Sequence, residues 1–501
     1  MNGFDLHDSP TPSVITKLIR APCFVRITQA MRPSSLRREL RLPSVIGVGV
    51  ATIVGSGIFV VIGPITRLYA GSLGFLCFPL AAIPSLLSAL CYAEFGSRFS
   101  CAGQAYTYLS ITLGEVFGYL AGTFTVFSYL VATSAVAKGF ELYMFDTQFV
   151  ASGLIVVSTF LCLLGIKESA GIASFFAVMN CGFLVGIILY GGLKYGRIDT
   201  LVDNFNMGDV HGLLQAASLA YFTTLGWDLL CVLSAEMVDP VKDVPLGLIG
   251  SLSIVTVLYS ALCLSLLTMM KPEEFDLNTP LSAAFLIHDD LLGSYTVSTA
   301  AGLICVSSVL TGILAPPRIL QRMAHDGLMF RFFETCNRSN VPVYGTLLTG
   351  LVGCVLTVSL QFEHLAKLTS AASLVIFSLV SVGLLKFRRS TLNVAPPLLL
   401  AVLACVWVLE CCSIVFPIAC LASTLWEWNR AWEIPELRRV LIKHENQAGY
   451  SCPLVPLLPL CSILANSCIL ASLGIQVVSA TGILFLVALT LYFVFGGVQS
   501  Q

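Results

Sequence analysis

The sequence predicts an all-α polytopic membrane protein of about fourteen transmembrane helices with its N-terminus in the cytoplasm. Three observations carry this. Hydrophobic residues make up 56% of the 501-residue chain and charged residues only 11%, with a mean hydropathy of +0.88. A soluble chain of this length needs far more charge to cover its surface. Apolar runs long enough to cross a bilayer recur from about Val45 to Gly497, and only a helix satisfies its own backbone in such runs. The Lys/Arg distribution across alternate loops is strongly one-sided.

The expected spans fall near 44–66, 71–95, 112–138, 148–166, 171–193, 212–236, 245–270, 293–321, 343–361, 366–386, 393–409, 411–428, 454–473 and 476–497. Placing the N-terminus inside leaves only Arg67, Lys138, Lys194, Arg197, Lys271 and Lys367, of 27 basic residues, on the outer side. The same rule reads 393–428 as two short helices turning near Glu410, because one helix would carry the basic stretch Arg430–Lys443 outside. Residues 1–43 form a basic cytoplasmic tail without the apolar core of a signal peptide. Residues 498–501 form a short C-terminal tail.

Two spans contain a break. Gly55-Ser56-Gly57 interrupts the first at mid-bilayer, where glycines weaken a helix and free backbone N–H and C=O groups. Irregular backbone at that depth belongs beside a cavity or packed protein. A small-residue packing face is the competing reading. In the sixth span, Thr223-Thr224-Leu225-Gly226-Trp227-Asp228 places glycine, two threonines and a carboxylate in an apolar run. An intramembrane Asp marks a functional site unless a neighbouring helix pairs it. The breaks open two successive five-helix sets, the offset expected of an inverted repeat with a midplane site. Half-helix ends there offer a positive N-terminus to a carboxylate and bare carbonyls to an amine or cation. A zwitterionic amino acid fits that pair.

Other polar groups have simpler readings. Glu94 and Arg98 end the second span at the inner face as a salt bridge or gate, and Glu115 follows Gly114 in the N-terminal turn of the third. Glu236 belongs to a solvated inner turn around Pro240, and Pro316-Pro317 kinks the eighth span. The eighteen cysteines are almost all single residues in apolar runs, and the six histidines show no metal-ligand spacing. No metal, organic cofactor or nucleic-acid partner is implied. No HExxH or nucleophile motif supports an intramembrane enzyme.

The chain resembles the cationic amino acid transporter family of the amino acid–polyamine–organocation superfamily. The resemblance runs from about residue 44 to the C-terminus. It is carried by Leu90–Arg98 (LCYAEFGSR), Ala105–Tyr108 (AYTY) with Gly114-Glu115, Gly165–Ala170 (GIKESA) and Gly226-Trp227-Asp228. Further along are Pro316-Pro317-Arg318, Met323–Leu328 (MAHDGL), Pro453–Pro459 (PLVPLLP) and Leu491–Gly496 (LYFVFG). The family implies a leucine-transporter-like core of two inverted five-helix repeats, 44–193 and 211–386, four further helices over 387–497, and alternating access. It implies that Gly55, Ser56, Gly57 and Ile58 hold the amino acid's carboxylate and amino group. Phe222, Leu225, Gly226, Trp227 and Asp228 line the sixth-span side, and Thr133 approaches from the third. Glu94, Glu115, Asn180 and Glu236 are the coupling or gating candidates. Proton-coupled relatives carry a lysine ten residues after the motif ending at Ala170, where this chain has Asn180, which implies uniport.

The sequence departs from the family at Gly122-Thr123-Phe124, at Trp227, at Gln321-Arg322 and at Ala173-Ser174. These changes bear on specificity more than on fold. Facilitated transport of arginine, lysine or ornithine is the expectation. A proton-coupled or neutral carrier and a transport-poor sensor remain alternatives. With no sorting signal, the plasma membrane is the default location, and a vacuolar or lysosomal membrane the alternative.

Overall fold

The computed structural model describes residues 38, 40–99, 104–145, 147, 149–164, 170–197, 199–200, 210–337, 341–388 and 449–498, with side chains at 170–177, 210, 235 and 494–498 left out. Most of the basic tail, the GIKES segment, the expected eleventh and twelfth spans and the stretch Arg430–Lys443 lie outside the described residues.

The first span is two helices, α1 (Leu42–Ile53) and α2 (Gly57–Pro64). A π-helical turn, Ile65–Ala70, and a 3-10 turn, Gly71–Leu76, then lead into α3 (Cys77–Arg98). A short helix, α4 (Gln104–Thr112), precedes α5 (Glu115–Met144), α6 (Val150–Leu163) and α7 (Ala170–Tyr195). The sixth span is α8 (Val210–Ala220), a 3-10 turn (Tyr221–Thr224), a non-helical stretch (225–228), and the single turn α9 (Leu229–Val232). After these come α10 (Pro240–Met269), α11 (Pro280–Leu286), α12 (Leu291–His325), α13 (Val343–Ser359) and α14 (Phe362–Phe387), then α15 (Leu457–Ser472) and α16 (Ile475–Val498).

Twelve of the fourteen expected spans thus fall on helices. Among the described residues, seven helical stretches are long and apolar enough to cross a bilayer, with four shorter apolar helices beside them. The only β contacts among the described residues are two isolated bridges, Leu40 with Met237 and Cys336 with Pro342.

Sequence pattern decides which helices sit inside. α14 carries its charged residues only near its two ends and is buried from Thr369 to Phe387, as expected of a helix enclosed by others. It packs against α3, α4, α5 and α15. At the rim, α6 turns Val156, Val157 and Phe160 outward, each more than half exposed. A fully apolar exterior is the surface a bilayer accepts.

The C-terminal pair is bonded to the core through polar side chains. Ser462 Oγ lies 3.0 Å from Ser88 Oγ and accepts from Ser381 Oγ at 3.1 Å, and Asn466 Nδ2 donates to Ser88 Oγ at 3.0 Å. Hydrogen bonds between helices in lipid typically contribute about 0.6 kcal/mol each.

Candidate functional site: a cavity between two broken helices

The first break follows from the residues at its centre. Val54 leaves the helix with ψ 102°, and α2 restarts at Gly57. The first amides of α2 then have no partner within their own helix. In the sixth span, Leu225 is extended (ψ 162°) and Gly226 has φ +104°, a conformation that favours glycine.

The two breaks touch. A Cβ at Gly226 would lie 2.4 Å from the Thr52 carbonyl oxygen, and one at Gly57 would lie 3.0 Å from the Phe222 ring. Glycine is therefore required at 226, while at 57 a side chain would press the Phe222 ring aside by a few tenths of an ångström.

Between the breaks lies a cavity of about 160 Å³, many times the ~10–15 Å³ that one water needs. Its lining joins Gly55, Ser56, Gly57 and Ile58 from the first span with Phe222, Leu225, Gly226 and Asp228 from the sixth. Thr133 of α5 and Asn180 of α7 complete the expected set that the structure brings together. Phe222, which lines the cavity, stands edge-on to Phe362 at 5.9 Å.

Asp228 is half-buried in this wall. Its Oδ2 accepts from Tyr129 OH at 3.0 Å, and its main-chain carbonyl accepts from Gln104 Nε2 at 3.1 Å. Asn180 is 2% exposed and its Oδ1 has no hydrogen-bond partner. An orphaned acceptor facing a cavity is costly unless a ligand or water satisfies it.

Four expected site residues lie elsewhere. Trp227 turns its ring away from the cavity, against Tyr92 (5.1 Å) and Phe377 (4.6 Å). Glu94 is fully buried at the end of α3, with Arg98 Nε at 3.2 Å and Arg388 Nε at 2.7 Å, and it accepts from the Cys452 amide at 2.9 Å. Glu115, at the start of α5, accepts from Tyr492 OH at 3.3 Å. Glu236 contributes its main-chain oxygen to Leu40 N at 3.0 Å, which fastens the entering chain to the end of the sixth span.

Sequence reasoning missed Tyr129, Ser128, Ser307, Ser308, Thr311 and Ser373, all of which line the cavity. A signal was present. Thr125, Tyr129 and Thr133 recur every four residues in an apolar helix, as do Ser307 and Thr311, and that period puts each set on one face. Ser128 and Ser373 also join α5 to α14 across 2.8 Å.

Among the described residues no group of His, Cys, Asp or Glu could hold a metal ion.

The sequence profile of the amino acid permease family matches residues 40–432, and that of the permease C-terminus matches 450–500. The chain belongs to the amino acid permease family. This permease is 30% identical over 390 residues to cationic amino acid transporter 3, mitochondrial, of Arabidopsis thaliana, covering 72% of the chain and 63% of the relative. It is also 30% identical over 385 residues to the same plant's cationic amino acid transporter 4, vacuolar, covering 71% and 64%. The permease therefore spans just under two thirds of the length of these two relatives. A third relative, the methylthioribose transporter of Bacillus subtilis, is 27% identical and matches 75% of this chain and 86% of its own. The resemblance to cationic amino acid transporters drawn from the motifs is borne out by these relatives. With its many apolar helices, the permease is an integral, multi-pass membrane protein.

Proposed function

We propose that this permease moves a cationic amino acid by alternating access and facilitated uniport, with the cavity between the two breaks as its binding site. The observation that carries the reading is the convergence of opposite polar ends on one cavity. The N-terminal turn of α2, through Gly57 and Ile58, and Asp228 of the sixth span line the same cavity. Helix N-termini favour a carboxylate, and a buried carboxylate favours an amine or guanidinium. An amino acid satisfies both.

The repeats 44–193 and 211–386 are taken as the two moving halves, each opening with its broken helix. Phe222 with Phe362 closes the outer end. Asn180 cannot titrate, which favours transport driven by gradient and membrane potential alone. The names of the plant relatives support a cationic substrate, and an organelle membrane beside the default plasma membrane.

A second reading is a neutral solute, favoured by the methylthioribose transporter among the relatives. Radiolabelled arginine uptake into proteoliposomes, at two membrane potentials and two pH values, separates the readings. Uptake that grows with inside-negative potential and ignores pH supports cationic uniport. Uptake of a neutral solute without arginine uptake leaves the transporter and removes the cationic assignment.

A further inference from the structure

The short helix α4 was not expected from sequence, and its bonds connect three parts of the molecule. It lies on the face carrying Arg98, Arg322 and Arg388, which the Lys/Arg bias places inside. Eight of its nine residues are buried, and it packs on α5, α14 and α9.

Two of its side chains reach outward from the helix. Gln104, 4% exposed, starts α4 with φ +43°, a backbone conformation that non-glycine residues hold only when their surroundings impose it. Its Nε2 donates to the Asp228 carbonyl at 3.1 Å. Two residues later, Tyr106 OH donates to Asp326 Oδ2 at 2.7 Å. Asp326 caps the C-terminal end of α12, and the same oxygen receives Arg322 Nε at 3.2 Å.

We propose that α4 is the inner latch of the permease, with Gln104 and Tyr106 as positioning residues that tie the broken sixth span to the inner end of α12. The proposal rests on the alternating-access reading above.

Asp228 faces the cavity with its carboxylate and holds α4 with its carbonyl, so a solute that shifts Asp228 also loads the Gln104 bond. α12 lines the cavity with Ser307, Ser308 and Thr311 and ends at the Tyr106 bond. Both walls of the cavity are thus bridged beneath it by one nine-residue helix. The Gln104 link is one uncharged hydrogen bond, weak enough to break and re-form during a transport cycle. Release of both bonds frees α4 to withdraw and opens the floor of the cavity, at Asp228 and Tyr129, toward the inner solution.

The test is sided labelling of a cysteine placed in the cavity. Full-length permease carrying Ala132→Cys is reconstituted in proteoliposomes. A membrane-impermeant maleimide is applied from one side or the other, and labelling above the parent protein is measured. Tyr106→Phe and Gln104→Leu are each expected to raise inner-side labelling roughly fivefold, the size of one lost hydrogen bond in a two-state equilibrium, and to lower outer-side labelling. Asp326→Asn weakens the Tyr106 bond from its other partner and must give the same shift. A purely structural role for α4 would change stability without changing sidedness. If the reporter is labelled from both sides in the parent and the three variants leave the ratio unchanged, the latch is overturned while alternating access stands. If the reporter is reached from one side alone, with and without arginine, the alternating-access reading fails and the latch with it.

Discussion

Glu94 and Asp228 are both carboxylates in apolar spans, the first fully buried and the second half-buried, and their surroundings differ in kind. Glu94 meets two guanidinium groups and a backbone amide and is not among the residues that line the cavity between the breaks. Asp228 has one side-chain donor, Tyr129, and borders an open volume. Glu94 is thus neutralised by charges of the protein itself, whereas Asp228 keeps lone-pair positions in reserve beside the cavity. Charge in the membrane does not by itself mark a transport site; unspent hydrogen-bonding capacity beside a cavity is the better marker. Glu94 also draws on distant parts of the chain, since Arg388 ends the tenth span and Cys452 precedes the C-terminal pair. Its cluster fastens the later helices to α3.

The comparison can be broken at its strongest point first. Glu94→Ala removes one member of a buried ion cluster and leaves two guanidinium groups without their partner. Such losses cost about 3–5 kcal/mol. The expected outcome is a protein that accumulates poorly and unfolds early, seen as a large drop in the thermal transition measured in detergent. A Glu94→Ala protein that folded normally and lost only transport would erase the contrast with Asp228. Next in size is Gly226→Ala. The added Cβ would lie 2.4 Å from the Thr52 oxygen at a φ of +104°, so one break must move away from the other. Uptake is expected to fall at least about tenfold, because misplacing a binding group by an ångström is that costly. Uptake at the parental rate would mean that the contact between the breaks does not shape the site.

Much of this was legible in the sequence, because a bilayer leaves the backbone few choices. The apolar runs located the spans, and glycine with polar residues located both breaks. Ten of the fourteen named site residues line the cavity. Trp227 was misleading for a geometric reason. It lies between two cavity residues in the broken stretch, but its side chain leaves on the other side and packs on Tyr92. α4 was hidden because AYTY and its neighbours are polar enough to read as a loop, and the helix is buried by contacts from spans remote in sequence. Tyr129 was concealed by its setting: one phenol in an apolar helix gains meaning only when Asp228 is opposite.

A smaller effect on the fold and a clear one on transport are expected from Asp228→Asn. The amide keeps the side chain's size and can still accept from Tyr129. Stability should therefore change by no more than about 1 kcal/mol, as for the loss of a single hydrogen bond. On the proposed reading, cationic uptake should fall about tenfold or more, since hydrogen bonds to charged groups contribute about 1.5–3 kcal/mol. Equal losses of uptake and stability would return Asp228 to the class of Glu94. The outer end of the molecule provides a control for pH. Asp290 accepts from the Gly293 amide, from Tyr195 OH and from Tyr190 OH. These bonds, the amide's foremost, hold its carboxyl well below the usual carboxylate range. A carboxyl lowered in this way contributes stability above its unfolded value of 3.8, lost only as the solution becomes more acidic than that. Asp290 therefore stays ionised at neutral pH and adds no pH dependence there.

The sharpest version of the comparison needs no loss of stability. Asn180 presents an unpartnered Oδ1 to the cavity, so replacing it forfeits no hydrogen bond that this atom makes within the protein. Asn180→Lys puts an amine in its place. The amine can take and lose a proton where the amide cannot. When protonated, it adds a positive charge to a cavity proposed to receive a cation. The parent should take up arginine at a rate independent of pH. The Asn180→Lys protein should take it up more slowly as the solution is acidified, with a smaller effect on a neutral amino acid, because like charges in a low-dielectric site repel. Initial uptake of both solutes across a pH series, at clamped potential, reads this directly. A variant with the parent's flat profile would place Asn180 outside the substrate's electrostatic reach. A pH-dependent parent would mean that another group in the cavity, with Asp228 the first to examine, already carries the proton.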